Sequence, residues 1–96
     1  MNLKPSESNL QGAVIMNRGK PIFDATANRI IWLIQNQLEH ITDDESGWTG
    51  LYIDRADGRL WERSFVQSGQ HGGGAPRLKV IEASAAEIKY KLHSKG

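Results

Sequence analysis

The chain has 96 residues, 39% of them apolar and 24% charged, with a net charge of +1. That length makes one domain, residues 1–96, in which folding hides roughly 60–65% of the unfolded surface, and the composition excludes a disordered tail. With no cysteine there is no disulfide framework, thiolate zinc site or thiol nucleophile.

In chain order, residues 1–9 are expected to be flexible, as are residues 94–96. Met1 to Glu7 shows no apolar stretch with a cleavage site, so no secretory signal is expected and the default location is the cytoplasm. The run Ala13 to Met16 ends at Asn17-Arg18-Gly19 and reads as a strand and turn. Asp24 is placed to cap a helix. Ala27, Ile30, Ile31, Ile34, Leu38 and Ile41 then recur in steps of three and four, which predicts a helix from Ala25 to about His40. Its core, Ile30 to Ile34, is the longest apolar run, five residues where a bilayer needs about 20. No membrane partner is expected.

Trp48 to Asp54 reads as a strand with large side chains on both faces. A turn at Arg55-Ala56-Asp57-Gly58 returns the chain through Leu60 to Val66, an antiparallel hairpin. Gln67 to Pro76 is an irregular Gly-rich loop, Leu78 to Glu82 a further strand. Ser84 and Glu87 have capping-box spacing, with Ala85, Ile88 and Leu92 as the inner stripe of a last helix. The order β-α-β-β-β-α predicts an α+β fold, a mainly antiparallel sheet with its helices on one face.

Charge is unevenly spread: +2 over residues 1–38, −5 over 39–62 and +4 over 63–96. The lack of a marked basic excess excludes nucleic acid as the expected partner. Glu39, Asp43, Asp44 and Glu45 form an acidic segment suited to a basic partner or to a solvated turn.

Candidate chemistry is thin. His71-Gly72-Gly73-Gly74 has the form of an oxyanion loop, but no G-x-S-x-G nucleophile elbow accompanies it. A loop with so little side chain can instead press its backbone on a partner. His40 with the acidic segment lacks metal-ligand spacing, and Asp54 to Gly58 lacks the oxygens of a calcium loop. No metal or cofactor is expected. Glu62, Arg63 and His71 could converge as an acid–base set, or Glu62 could simply pair with Arg55, Arg59 or Lys79. Trp48 with Tyr52, or Trp61 with Phe65, could form an exposed aromatic platform.

Taken together, Asp44-Glu45-Ser46-Gly47-Trp48, Leu51-Tyr52, Asp57-Gly58-Arg59, Trp61-Glu62 and His71-Gly72-Gly73-Gly74 with Pro76 and Leu78 resemble the immunity protein 27 family of bacterial polymorphic toxin systems. Leu3-Lys4-Pro5 with Glu7, Leu10 and Gly12, and Arg29-Ile30 with Trp32-Leu33-Ile34, extend the resemblance over most of the chain. Ala75 departs from it, standing where a second proline is expected. The resemblance implies a non-enzymatic protein that binds a cognate toxin, encoded next to it, and blocks it stoichiometrically. Two surfaces are candidates for that contact. One is the hairpin and Gly-rich loop, through Tyr52, Trp61, Glu62, His71, Gly72, Gly73, Gly74 and Arg77. The other is the acidic segment Glu39, Asp43, Asp44 and Glu45. A general protein-binding domain, or a small hydrolase or nuclease, are the alternatives.

Overall fold

Asp24 starts the first helix as its sequence position predicts. Its carboxylate accepts from the Ala27 N–H at 2.8 Å and also from Ala13 N–H at 3.1 Å, tying the helix start to the chain eleven residues before it. The computed structural model describes residues 3–65 and 74–91. Its elements are β1 (Asn9–Gln11), β2 (Val14–Asn17), β3 (Lys20–Phe23), α1 (Ala25–Asn36), β4 (Leu38–Asp43), β5 (Gly50–Asp54), β6 (Leu60–Phe65), β7 (Pro76–Val80) and α2 (Ala83–Tyr90). Five strands form one antiparallel sheet in the order β1-β7-β6-β5-β4, and β2 pairs with β3 in a separate hairpin. The fold is α+β.

The helix predicted to run to His40 stops at Asn36, and the chain turns directly into β4. Leu38 fits both readings, because it is buried either as the next helical step or as the first inward residue of a strand. Pairing decides it: Leu38 to Asp43 find partners along β5, from Asp54 to Gly50, with a bulge at Ile41. The Gln37 side chain closes the junction by donating to the buried Asp54 carboxylate at 3.1 Å.

Strand alternation then divides the interior in two. Tyr52 and Trp61 face each other across β5 and β6, and with Leu10, Leu38 and Leu78 they pack against Ile30 and Leu33 of α1. Leu51, the residue beside Tyr52, points to the opposite face and packs against Ala86 and Tyr90 of α2. The expectation that both helices share one face is therefore corrected: each covers its own face, because β5 carries large apolar residues on both.

The second helix also differs in detail. It is capped at Glu82 without a side-chain bond, so Ser84 and Glu87 lie inside the helix and form no capping box. Ala86 and Tyr90 are its buried residues, whereas Ala85 is exposed and Ile88 is 81% exposed; Leu92 lies outside the described residues. Tyr90 settles the rotation. Its hydroxyl lies 2.8 Å from Glu62 Oε2 and 2.9 Å from Thr49 Oγ1, so the ring must face the sheet. Burial pushes the phenol above its ordinary range, and Glu62 adds to the shift.

The N-terminal segment is strapped down as far as Leu3, which packs on the core. The Arg29 guanidinium makes two 2.7 Å bonds to the Glu7 carboxylate, a bidentate pair. Arg59 reaches the carbonyls of Lys4 and Glu7 while its guanidinium lies 4.9 Å over the Trp61 ring. The bonds from Arg29, and then the Lys4 N–H, lower the Glu7 pKa from its ordinary 4.5 to about 2. A depressed carboxylate stabilises the fold fully above its unfolded value and loses that contribution as pH falls through the folded one. Stability should thus drop by about 1 kcal/mol between pH 4.5 and 2 from this pair, a scale set by its partly exposed position. Glu7→Gln should remove that part of the slope in urea titrations across this range.

Candidate functional site

The structure separates the residues of the first candidate surface. Tyr52 and Trp61 lie in the core, Tyr52 6% exposed and Trp61 with no exposed surface at all. Glu62 sits beneath α2, bonded by Tyr90 and paired with Lys89 at 2.7 Å. Arg63 is the next residue on the strand and points to the opposite face, so Glu62 and Arg63 do not converge. Arg77 is half-buried and its Nε donates to Asn9 Oδ1 at 3.3 Å. Gly74 is half-buried just before β7. His71, Gly72 and Gly73 lie outside the described residues.

The acidic segment is occupied internally. Glu39 pairs with Arg55, and Glu45 with Lys91 of the second helix end. Asp43 Oδ1 is 2.9 Å from His40 Nε2. Asp44 builds the turn before β5: its carboxylate accepts from Ser46 Oγ at 2.9 Å and from Thr49 N–H at 3.3 Å. Each of the four carboxylates already has a local partner, but only Glu39 and Glu45 meet a lysine or arginine. Among the described residues no group of three His, Asp or Glu side chains is arranged to hold a metal ion.

What sequence reasoning missed is the grouping: Trp48 and Phe65, each named there with a different partner, are exposed at the same end of the sheet as the apolar β2–β3 hairpin. Trp48 is 64% exposed, on the turn that leads into β5. Arg63 donates to the Trp48 carbonyl at 3.3 Å and lies 4.7 Å over the ring of Phe65, which is also exposed. Phe65 pairs with Pro76, and Gly12 N–H donates to the Pro76 carbonyl at 2.9 Å. The β2–β3 hairpin leaves the body beside Gly12, at that same end. It exposes Val14, Ile15, Met16, Ile22 and Phe23. Each platform pair proposed from the sequence is split, with Trp48 and Phe65 outside and Tyr52 and Trp61 inside.

The conspicuous sequence motifs are largely accounted for by folding. Gly58 has φ +77° in the β5–β6 turn, and Asp57 pairs with Arg59, whose guanidinium holds the N-terminal strap. Leu10 is core and Gly12 is a point of close backbone approach.

The molecule is a small antiparallel sheet clad by one helix on each face, with Trp48, Phe65 and the apolar β2–β3 hairpin exposed at one end. The family model for immunity protein 27 matches residues 16–82, and the chain belongs to that family. No curated protein and no solved structure matches it significantly. Among the described residues no helix is long and apolar enough to cross a membrane.

Proposed function

We propose that this chain acts as an immunity protein by binding a toxin domain encoded beside it and occluding that domain's active or substrate-binding site, without catalysis. Membership of the immunity protein 27 family carries the reading. The exposed end of the sheet supports a protein contact. Tryptophan and other aromatic residues are the usual anchors of such interfaces, and Trp48 and Phe65 stand there with Arg63 between them. Arg77 and Gly74 border the same end. The cytoplasm, where a toxin would threaten its producer, is the natural place for this activity.

The test is co-expression with the product of the adjacent gene, followed by purification on a tag carried by this chain. Rescue from toxicity and a stable one-to-one complex are expected. Toxicity without rescue, or no binding, would move the assignment to a general protein-binding domain. Within the complex, Trp48→Ala should weaken affinity at least tenfold, about 1.4 kcal/mol. Asp43→Ala with Glu45→Ala should leave it within about 1 kcal/mol, because those carboxylates are rim charges already paired within the chain. Titration calorimetry reads both, and a reversed order would reinstate the acidic segment as the contact.

A further inference from the structure

The β2–β3 hairpin contributes nothing to either core cluster, and all eight of its strand residues are exposed. Its register puts Val14, Met16, Pro21 and Phe23 on one face and Ile15 and Ile22 on the other. The first face is therefore apolar throughout, the second is apolar at its base and polar toward the tip with Asn17 and Lys20, and Met16 is 67% exposed. A two-stranded ribbon of this kind is marginal in water and its open edges invite association. Something else must account for its retention.

The tip points to that something. Asn17 to Lys20 is a two-residue hairpin turn with positive φ at both central positions, Arg18 at +55° and Gly19 at +79°. This turn favours Asn, Asp or Gly at its first central position. Arginine adopts the left-handed backbone only at a cost. Backbone strain of this sort is kept where the residue is needed for something other than folding. From Val14 to Phe23 the hairpin carries two cations, Arg18 and Lys20, and no carboxylate. Neither cation has a partner among the described residues.

We propose that the hairpin is a wedge that enters a cleft of the toxin domain. Apolar cleft walls would cover its first face and the base of its second, and carboxylates at the floor would pair with Arg18 and Lys20. This rests on the toxin-binding reading above and narrows it: the toxin's active cleft is acidic, of the kind that uses carboxylates for acid–base work or metal binding, rather than a basic groove for nucleic acid. Geometry favours a cleft over a flat partner, since a flat surface covers one face and leaves the other in water. It also disfavours a second copy of this chain, whose hairpin offers cations and no carboxylate to meet them.

The experiment uses the full chain and the purified toxin domain encoded beside it, with affinity measured by titration calorimetry. Arg18→Glu with Lys20→Glu should weaken binding at least about 100-fold, the scale for reversing charges that meet buried partners. Arg18→Asn should weaken it about tenfold while raising the melting temperature, because asparagine suits the turn better. That opposite movement separates a lost contact from lost folding. Wild-type affinity should also fall as salt rises. If wild type binds and both variants bind within twofold of it, the wedge is overturned while the toxin-binding reading stands. If wild type does not bind, both fall together. Sedimentation of the free chain gives the remaining arm: a monomer is expected, and a dimer that the Glu variant dissolves would assign the hairpin to self-association instead.

Discussion

Replacing Trp61 with alanine should remove about 3–5 kcal/mol of stability, the range for truncating a large buried aromatic. The indole is wholly buried between β6 and α1, among Leu10, Ile30, Leu33, Leu38, Tyr52 and Leu78. Arg59 lies over its ring and also carries the N-terminal strap, so the cavity would loosen two contacts at once. A domain of this size holds only about 5–15 kcal/mol in total. Much of it would be spent, and the variant should be largely unfolded at modest urea concentrations. Trp61→Phe should keep more of the stability, since most of the buried ring area remains. Urea denaturation followed by circular dichroism measures both. A loss below about 1.5 kcal/mol for the alanine variant would contradict the core role and return Trp61 to the list of contact residues. The result matters for function, because a failure of Trp61→Ala to neutralise a toxin would report unfolding rather than a lost interface.

The second large effect is expected at Gly12. A Cβ there would lie 2.7 Å from the Ala27 Cβ, 2.8 Å from the Ala27 Cα and 2.8 Å from the Pro76 carbonyl oxygen. Two of these are backbone atoms that cannot rotate away. Gly→Ala ordinarily stabilises a compatible site by roughly 0.4–1 kcal/mol through the unfolded chain. At Gly12 the clash should reverse the sign and cost about 1–3 kcal/mol, as overpacking does. The hydrogen bond from Gly12 N–H to Pro76 would be strained in the same step. The melting temperature should fall by roughly 4–20 °C. Gly19→Ala is the useful control: its φ is +79° but nothing lies within 4 Å of the added methyl, so only the backbone term operates. If the two variants melt alike, close approach at Gly12 is not what holds β1 and the hairpin base against α1.

Much of the fold is legible in the sequence where a local signal is strong. Asp24 announces the start of α1, and the turn ending at Gly58 announces the β5–β6 hairpin. The end of α1 is not legible, because Leu38 satisfies helical and strand periodicities equally and only its pairing with Asp54 distinguishes them. β1 and β3 are three and four residues long. β1 exists because β7 offers an edge for it, and β3 because Arg18 and Gly19 reverse the chain onto β2. The rotation of α2 is not legible either, because Ile88 looks like a core residue by hydrophobicity, whereas Tyr90 wins through its hydroxyl partners.

The candidate site was harder to read for a physical reason. An apolar run such as Val14-Ile15-Met16 has the pattern of a buried strand, and nothing local says that its partner lies outside the molecule. Conversely, Tyr52 and Trp61 are the residue types that interfaces use, yet this small core claims them. The acidic segment looks like a charged patch until its partners are known. Arg55 and Lys91 stand 16 and 46 residues from the carboxylates they meet, a pairing that charge counts along the chain do not reveal.

The three indoles turn the protein into its own optical probe. Trp61 is sealed in the interior, Trp32 is partly shielded on α1, and Trp48 stands in solvent at the end of the sheet where a partner is proposed to land. A water-soluble quencher such as acrylamide therefore reaches Trp48 first and Trp61 only when the domain opens. Docking over that end would protect the accessible fraction of the emission and leave the sealed fraction unchanged, whereas denaturation would expose both. Capture of a toxin and loss of structure would thus register as opposite changes in the same cuvette, with no label attached to the chain.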